Sequence, residues 1–169
     1  SKENSRGWDH GVFVPLMLAF PEANIPVIQI SLLKDMDAFK HFELGRALRP
    51  LRDQGIAILG SGMSFHNMGA FFGQDLKSGN DPKIVANIFN SWWTKVCQLE
   101  GYTSDDRKKQ LINWKKQAPN GSGIEVHPRE EHWLPLLVVV GAAHDDEKGK
   151  IIFSDDIMRG IVITSMQFE

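Results

Sequence analysis

Ile56-Ala57-Ile58-Leu59-Gly60-Ser61-Gly62 is the stretch whose reading decides the fold. It is short, continuously apolar and bounded by glycines, as expected of a strand covered on both faces of a parallel sheet. Working backwards, Gly55 ends a helix that Asp37 can cap, running to about Asp53 with Leu44, Leu48 and Leu51 on one stripe. Before that helix, Ile25-Pro26-Val27-Ile28-Gln29-Ile30 reads as another buried strand. A strand, a helix of this length and a second strand imply a right-handed parallel crossover. The expected fold is therefore α/β, a mostly parallel central sheet flanked by helices.

The flanking sequence fits that frame. Gly11 to Leu18 reads as a short helix closing at Phe20-Pro21. Ile84, Val85, Ile88, Phe89, Trp92, Trp93, Val96 and Leu99 form one broad apolar helical face, so Trp92 and Trp93 read as core. Tyr102 to Gln117 reads as a polar helix and Ala118 to Gly123 as a turn-rich linker. A third helix is expected from about Pro128 to Ala143. Ile151-Ile152-Phe153 and Gly160 to Phe168 are expected as closing strands, the second at an edge or half-exposed. Residues 1–169 are read as a single domain.

Composition excludes several classes of function. The 169 residues are 42% hydrophobic and 24% charged, with 19 basic and 21 acidic residues and a formal net charge of −2. So weak a field does not favour nucleic acid or an anionic membrane. The basic stretch Arg107-Lys108-Lys109, with Lys115 and Lys116, reads as a solvated helix face. The single cysteine, Cys97, sits in an apolar helical pattern and reads as a packed thiol. One cysteine excludes an intrachain disulfide and favours a reducing, cytoplasmic setting. The longest apolar run, Leu134 to Ala143, is too short to span a bilayer. The polar start, Ser1 to Arg6, lacks an initiator Met and reads as a chain beginning partway through a longer protein.

The chemistry rests on histidines, which titrate near neutrality and bind divalent metals. Of the six, His66 lies just past the C-terminal end of an expected strand, the sheet edge at which α/β proteins bind ligands. His132 lies in His127-Pro128-Arg129-Glu130-Glu131-His132, five residues from His127, so the pair does not form the two-histidine motif of zincins. His10 follows Asp9, which could fix its tautomer or cap the helix. His41 and His144 read as surface or core-edge residues. Walker, Rossmann and serine-elbow motifs are absent.

Four ordered blocks carry a resemblance. Gly7 to Leu16 contains Asp9-His10-Gly11; Phe20 to Ser31 follows it; Gly60 to Asn67 contains His66; His127 to Leu136 contains His132. Together they resemble the LigB-type class III extradiol ring-cleavage dioxygenases, the 4,5-DOPA dioxygenase branch in particular. The resemblance implies a non-haem iron(II) enzyme, with zinc reported in some relatives, that opens a catechol-type ring with O2. It implies His66 as acid–base residue or metal ligand, His132 as metal ligand, and His10 as a catalytic histidine on the substrate side. Asp9 and Glu131 are implied as partners that fix the imidazoles.

The resemblance also implies two further metal histidines in an N-terminal segment that this sequence does not contain. The chain is thus expected to be the C-terminal portion of a LigB-type domain, its sheet incomplete at the N-terminal side. That incompleteness implies a partner chain or a homo-oligomer. Three accounts stay open: a fragment of an active enzyme, one piece of a two-chain enzyme, or an inactive paralogue. The rival reading is a non-catalytic metal-binding or protein-interaction module of Memo-like type. A plain α/β domain with structural histidines is a third.

Overall fold

The computed structural model describes residues 5–169 and divides the chain into two compact units, Ser1–Leu32 and Leu33–Glu169. In the first unit, α1 spans His10–Ala19, and no residue of this strongly apolar helix is buried. Asp9 occupies the position before the helix, but its carboxylate makes no capping bond and accepts instead from Gln29 Nε2 at 2.5 Å. The stretch expected as a strand, residues 25–30, joins no hydrogen-bonded ladder among the described residues, and Ile28 is 88% exposed.

The second unit holds α2 (Ala38–Arg52), α3 (Met68–Phe71), α4 (Pro82–Cys97), α5 (Ser104–Ile112), α6 (Trp114–Gln117), α7 (Ser122–Val126) and α8 (Leu134–Ala142). A short 3₁₀ turn, Pro119–Gly121, precedes α7, and β1 (Lys150–Met158) and β2 (Ile161–Gln167) close the chain. The class is α/β as expected, but the parallel sheet is not seen. Among the described residues the sheet is a two-stranded antiparallel hairpin, and residues 56–60 run without a ladder partner. Apolar continuity predicts burial on two faces; it does not supply a neighbouring strand to bond. The hairpin turn is Arg159-Gly160, both at positive φ, as a tight turn matched to strand twist requires.

The cap predicted at Asp37 forms, and the structure adds two that were not predicted. Asp37 accepts from Lys40 N at 2.8 Å and starts α2, while Asp81 accepts from Lys83 N at 2.8 Å and starts α4. Thr103 and Asp106 form a reciprocal capping box on α5. The apolar face of α4 buries Phe89, Trp92, Trp93 and Val96 around Trp133, which also meets Trp114. No helix among the described residues is long and apolar enough to cross a membrane.

Two histidine and arginine readings are corrected. His41 is not at the surface but fully buried, where it accepts from Leu33 N and bonds to Asp37 O. Arg107 is 3% exposed rather than solvated, donating to the backbone carbonyls of Glu147 and His144. Its long stem and planar head reach across the core edge to lie over Phe168. The expected helix from Pro128 begins only at Leu134; residues 128–133 form turns, with Trp133 N and Leu134 N both donating to Glu130 O. Pro135 then sits in the first turn, where a missing N–H is harmless.

The tightest packing lies between α2 and α8. A Cβ added at Gly45 would sit 2.0 Å from Val138 O, and one at Gly141 would sit 2.1 Å from Phe42 O. Backbone meets backbone there, so no side chain can swing away. Gly45→Ala or Gly141→Ala should each destabilise the protein by about 3 kcal/mol or more, lowering Tm by roughly 6–12 °C. A melting point within 2 °C of the parent would refute the close approach. Cys97 is fully buried and burial pushes its thiol up to about 12. A thiol reagent at pH 8 should therefore leave native protein unlabelled and label one group per chain after denaturation.

Candidate metal centre

His66, Glu131 and His132 come together, one ligand atom from each lying within 4.8 Å of the others. His66 follows the fully buried Phe65, and its backbone N–H donates to Val126 O at 3.1 Å. Next to it, Asn67 donates to Glu125 O at 2.7 Å and caps α3 through Ala70 N. His66 is thus pinned to α7 on one side and to α3 on the other. His132 is pinned from the opposite direction. It lies just before α8, and Met63 N–H donates to its Nδ1 at 3.2 Å.

Glycine makes that arrangement possible. A Cβ at Gly62 would sit 2.4 Å from His132 O, and one at Gly60 would sit 2.7 Å from Pro135 O. The paired glycines therefore let the 60–62 segment pass against the backbone that carries His132.

The two imidazoles stack with centroids 3.5 Å apart and planes 15° from parallel. Glu131 Oε1 is 3.8 Å from His66 Nδ1, and Arg129 Nε is 3.6 Å from the other carboxylate oxygen. Burial holds the His66 imidazole below its usual pKa, opposed by the Glu131 carboxylate and reinforced by Arg129. Two imidazoles and one carboxylate are the donor set used by non-haem iron(II) sites, and zinc accepts the same donors. The residues fit an ion by donor type and spacing. A bound ion would turn the stacked rings apart, since near-parallel planes cannot both direct a lone pair at one point about 2 Å away.

Sequence reasoning singled out His66 and His132, and the structure brings them together. His10 belongs to the first unit, where it opens α1 with its side chain exposed. Glu131 was expected only as a partner of an imidazole. On a helix, adjacent side chains diverge by about 100°, and that expected helix concealed it; in the turn, Glu131 and His132 reach the same space. His127 is 1% exposed among Phe89, Trp114 and Trp133, and neither of its ring nitrogens makes a hydrogen bond of normal geometry. Burial first, and then the nearby His132 and His66, push its pKa down to about 3.

Gly62→Ala should push the 60–63 backbone off His132 and weaken cobalt(II) or zinc binding by about ten-fold or more, the effect of losing a ligand's support. Far-UV circular dichroism should stay near the parent's. Unchanged metal affinity would show that His132 does not depend on this contact.

The family model described as the catalytic LigB subunit of aromatic ring-opening dioxygenase matches residues 1–168. The chain is 40% identical over 151 residues to Dioxygenase tasH of Hapsidospora irregularis, covering 85% of this chain and 44% of that protein. It is 37% identical over 150 residues to a 4,5-DOPA dioxygenase extradiol of Beta vulgaris, covering 89% of this chain and 52% of that one. A crystal structure of an uncharacterized Escherichia coli protein superposes with a TM-score of 0.79 at 31% identity, covering 99% of this chain and 65% of that chain. This chain spans about half the length of these curated relatives. Matched along almost its whole length, it belongs to the LigB family of aromatic ring-opening dioxygenase catalytic subunits.

Proposed function

We propose that this chain forms part of an extradiol ring-cleaving dioxygenase that acts on a catechol-type aromatic with O2 at a non-haem metal, iron(II) in first place and zinc as the alternative. The observation that carries the reading is the convergence of His66, Glu131 and His132. Family membership and relatives named as dioxygenases support it. Activity would need the N-terminal segment and its two further histidines, supplied by a longer parent or by a different partner chain. The cytoplasmic setting belongs to the same proposal.

Bound there, a non-haem iron(II) would supply open positions for both catecholate oxygens and for O2. His132 and Glu131 would hold the ion. His66 has the lowered pKa of a neutral imidazole, the form that can either donate a lone pair to the ion or accept a diol proton. Its Nδ1 faces the Glu131 carboxylate, which would steady the ring after proton uptake. His10 carries its catalytic assignment from the family resemblance alone.

The test is metal content by mass spectrometry together with oxygen uptake. The 169-residue chain should bind iron or zinc weakly, and His66→Ala with His132→Ala should abolish binding. Glu131→Gln should weaken it by about ten-fold, the cost of a ligand's charge. The full-length parent loaded with iron(II) should consume oxygen with a catechol. No uptake across several catechols would sink the dioxygenase reading, and metal retained by the double variant would sink the site.

A further inference from the structure

Away from the histidines, near the other end of α8, a cavity of about 120 Å³ is lined by Arg46, Arg49, Arg107 and Lys108, with Asp105 and Asp145 also on its wall. Two of these cations are not fully used by the fold. Arg107 bonds to two backbone carbonyls and, among the described residues, to no carboxylate; the Glu147 carboxylate beside it is held by Arg52 at 2.8 Å. Arg49 donates through Nη2 to Gly141 O and to Asp145 Oδ1, but its Nε–H is buried without a partner.

Closing the last carbonyls of α8 is a sufficient structural task for Arg49 Nη2 and for Arg52, which donates to Ala142 O at 2.9 Å. That task leaves unexplained the cavity and Arg107, which has Asp145 and Glu147 nearby but, among the described residues, no carboxylate at ion-pair distance. An oxyanion in the cavity would give the Arg107 guanidinium a close counterion, where Asp145 and Glu147 act on it only from a distance. The cavity has the volume of a few waters, enough for a small ion and too little for a ring-bearing ligand. Cations reach it from two helices, α2 and α5, which suits an acceptor with oxygens on several sides. Asp145 is largely exposed and already places a carboxylate oxygen on Arg49 at 3.1 Å.

We infer that this cavity binds a small tetrahedral oxyanion, inorganic phosphate or the phosphate of a monoester, held by Arg49 and Arg107, with the Asp145 carboxylate as its built-in competitor; Lys108 on the same wall is already paired with Glu43 at 2.8 Å. The site is independent of the metal centre and of the reaction proposed there.

Thermal melts and calorimetric titrations of the 169-residue chain with sodium phosphate, against sodium chloride at equal ionic strength and with EDTA present, test this. Phosphate should raise Tm saturably where chloride does not. Arg49→Gln should weaken phosphate at least about ten-fold, the loss of a charged hydrogen-bonding partner. Asp145→Asn should tighten it several-fold, a gain that general destabilisation cannot produce. His132→Ala should leave the phosphate response intact. Glycerol phosphate binding more tightly than phosphate would identify a monoester as the ligand, and the reverse order would identify the free ion. Equal Tm in phosphate and chloride, or an Arg49→Gln variant with undiminished response, would overturn the site.

Discussion

Backbone approaching backbone on two sides of one short helix is the constraint from which the second unit is built. On one side α8 meets α2 through Gly45 and Gly141; on the other, the segment carrying Gly60 and Gly62 runs against residues 132–135. At all four positions a methyl group would collide with a main-chain oxygen, and at Gly60 with the Val139 side chain as well. Because the 60–62 segment is fixed in this way, His66 and His132 face each other although they lie 66 residues apart in sequence. The aromatic layer of α4 then needs only to cover what the glycines have set.

The helices were readable because their signals are local. The Asp37 cap acts within one turn, and the apolar spacing of α4 identifies its buried face without reference to the rest of the chain. Strands at 25–30 and 56–60 were not determined in the same way, since a ladder needs a partner and composition names none. His41 and Arg107 escaped for a related reason. Their burial depends on carbonyls contributed by distant segments, Glu147 and His144 in the case of Arg107.

The site was half legible. His66 and His132 stood out as chemistry-bearing residues at turns, whereas Glu131 was hidden by reading its segment as helix. The corrected turn at 128–133 makes neighbours of residues that a helix would have separated. It also places Trp133 immediately after a candidate ligand and in the middle of the aromatic core.

That last placement has an optical meaning. Trp92, Trp93, Trp114 and Trp133 are four of the five tryptophans in the sequence, and Trp133 lies within 6.3 Å, centroid to centroid, of each of the other three. Indoles this close exchange excitation and emit as a group rather than singly. Trp133 is bonded in sequence to His132, so a backbone shift at that candidate ligand has a covalent route to the indole on which the cluster centres.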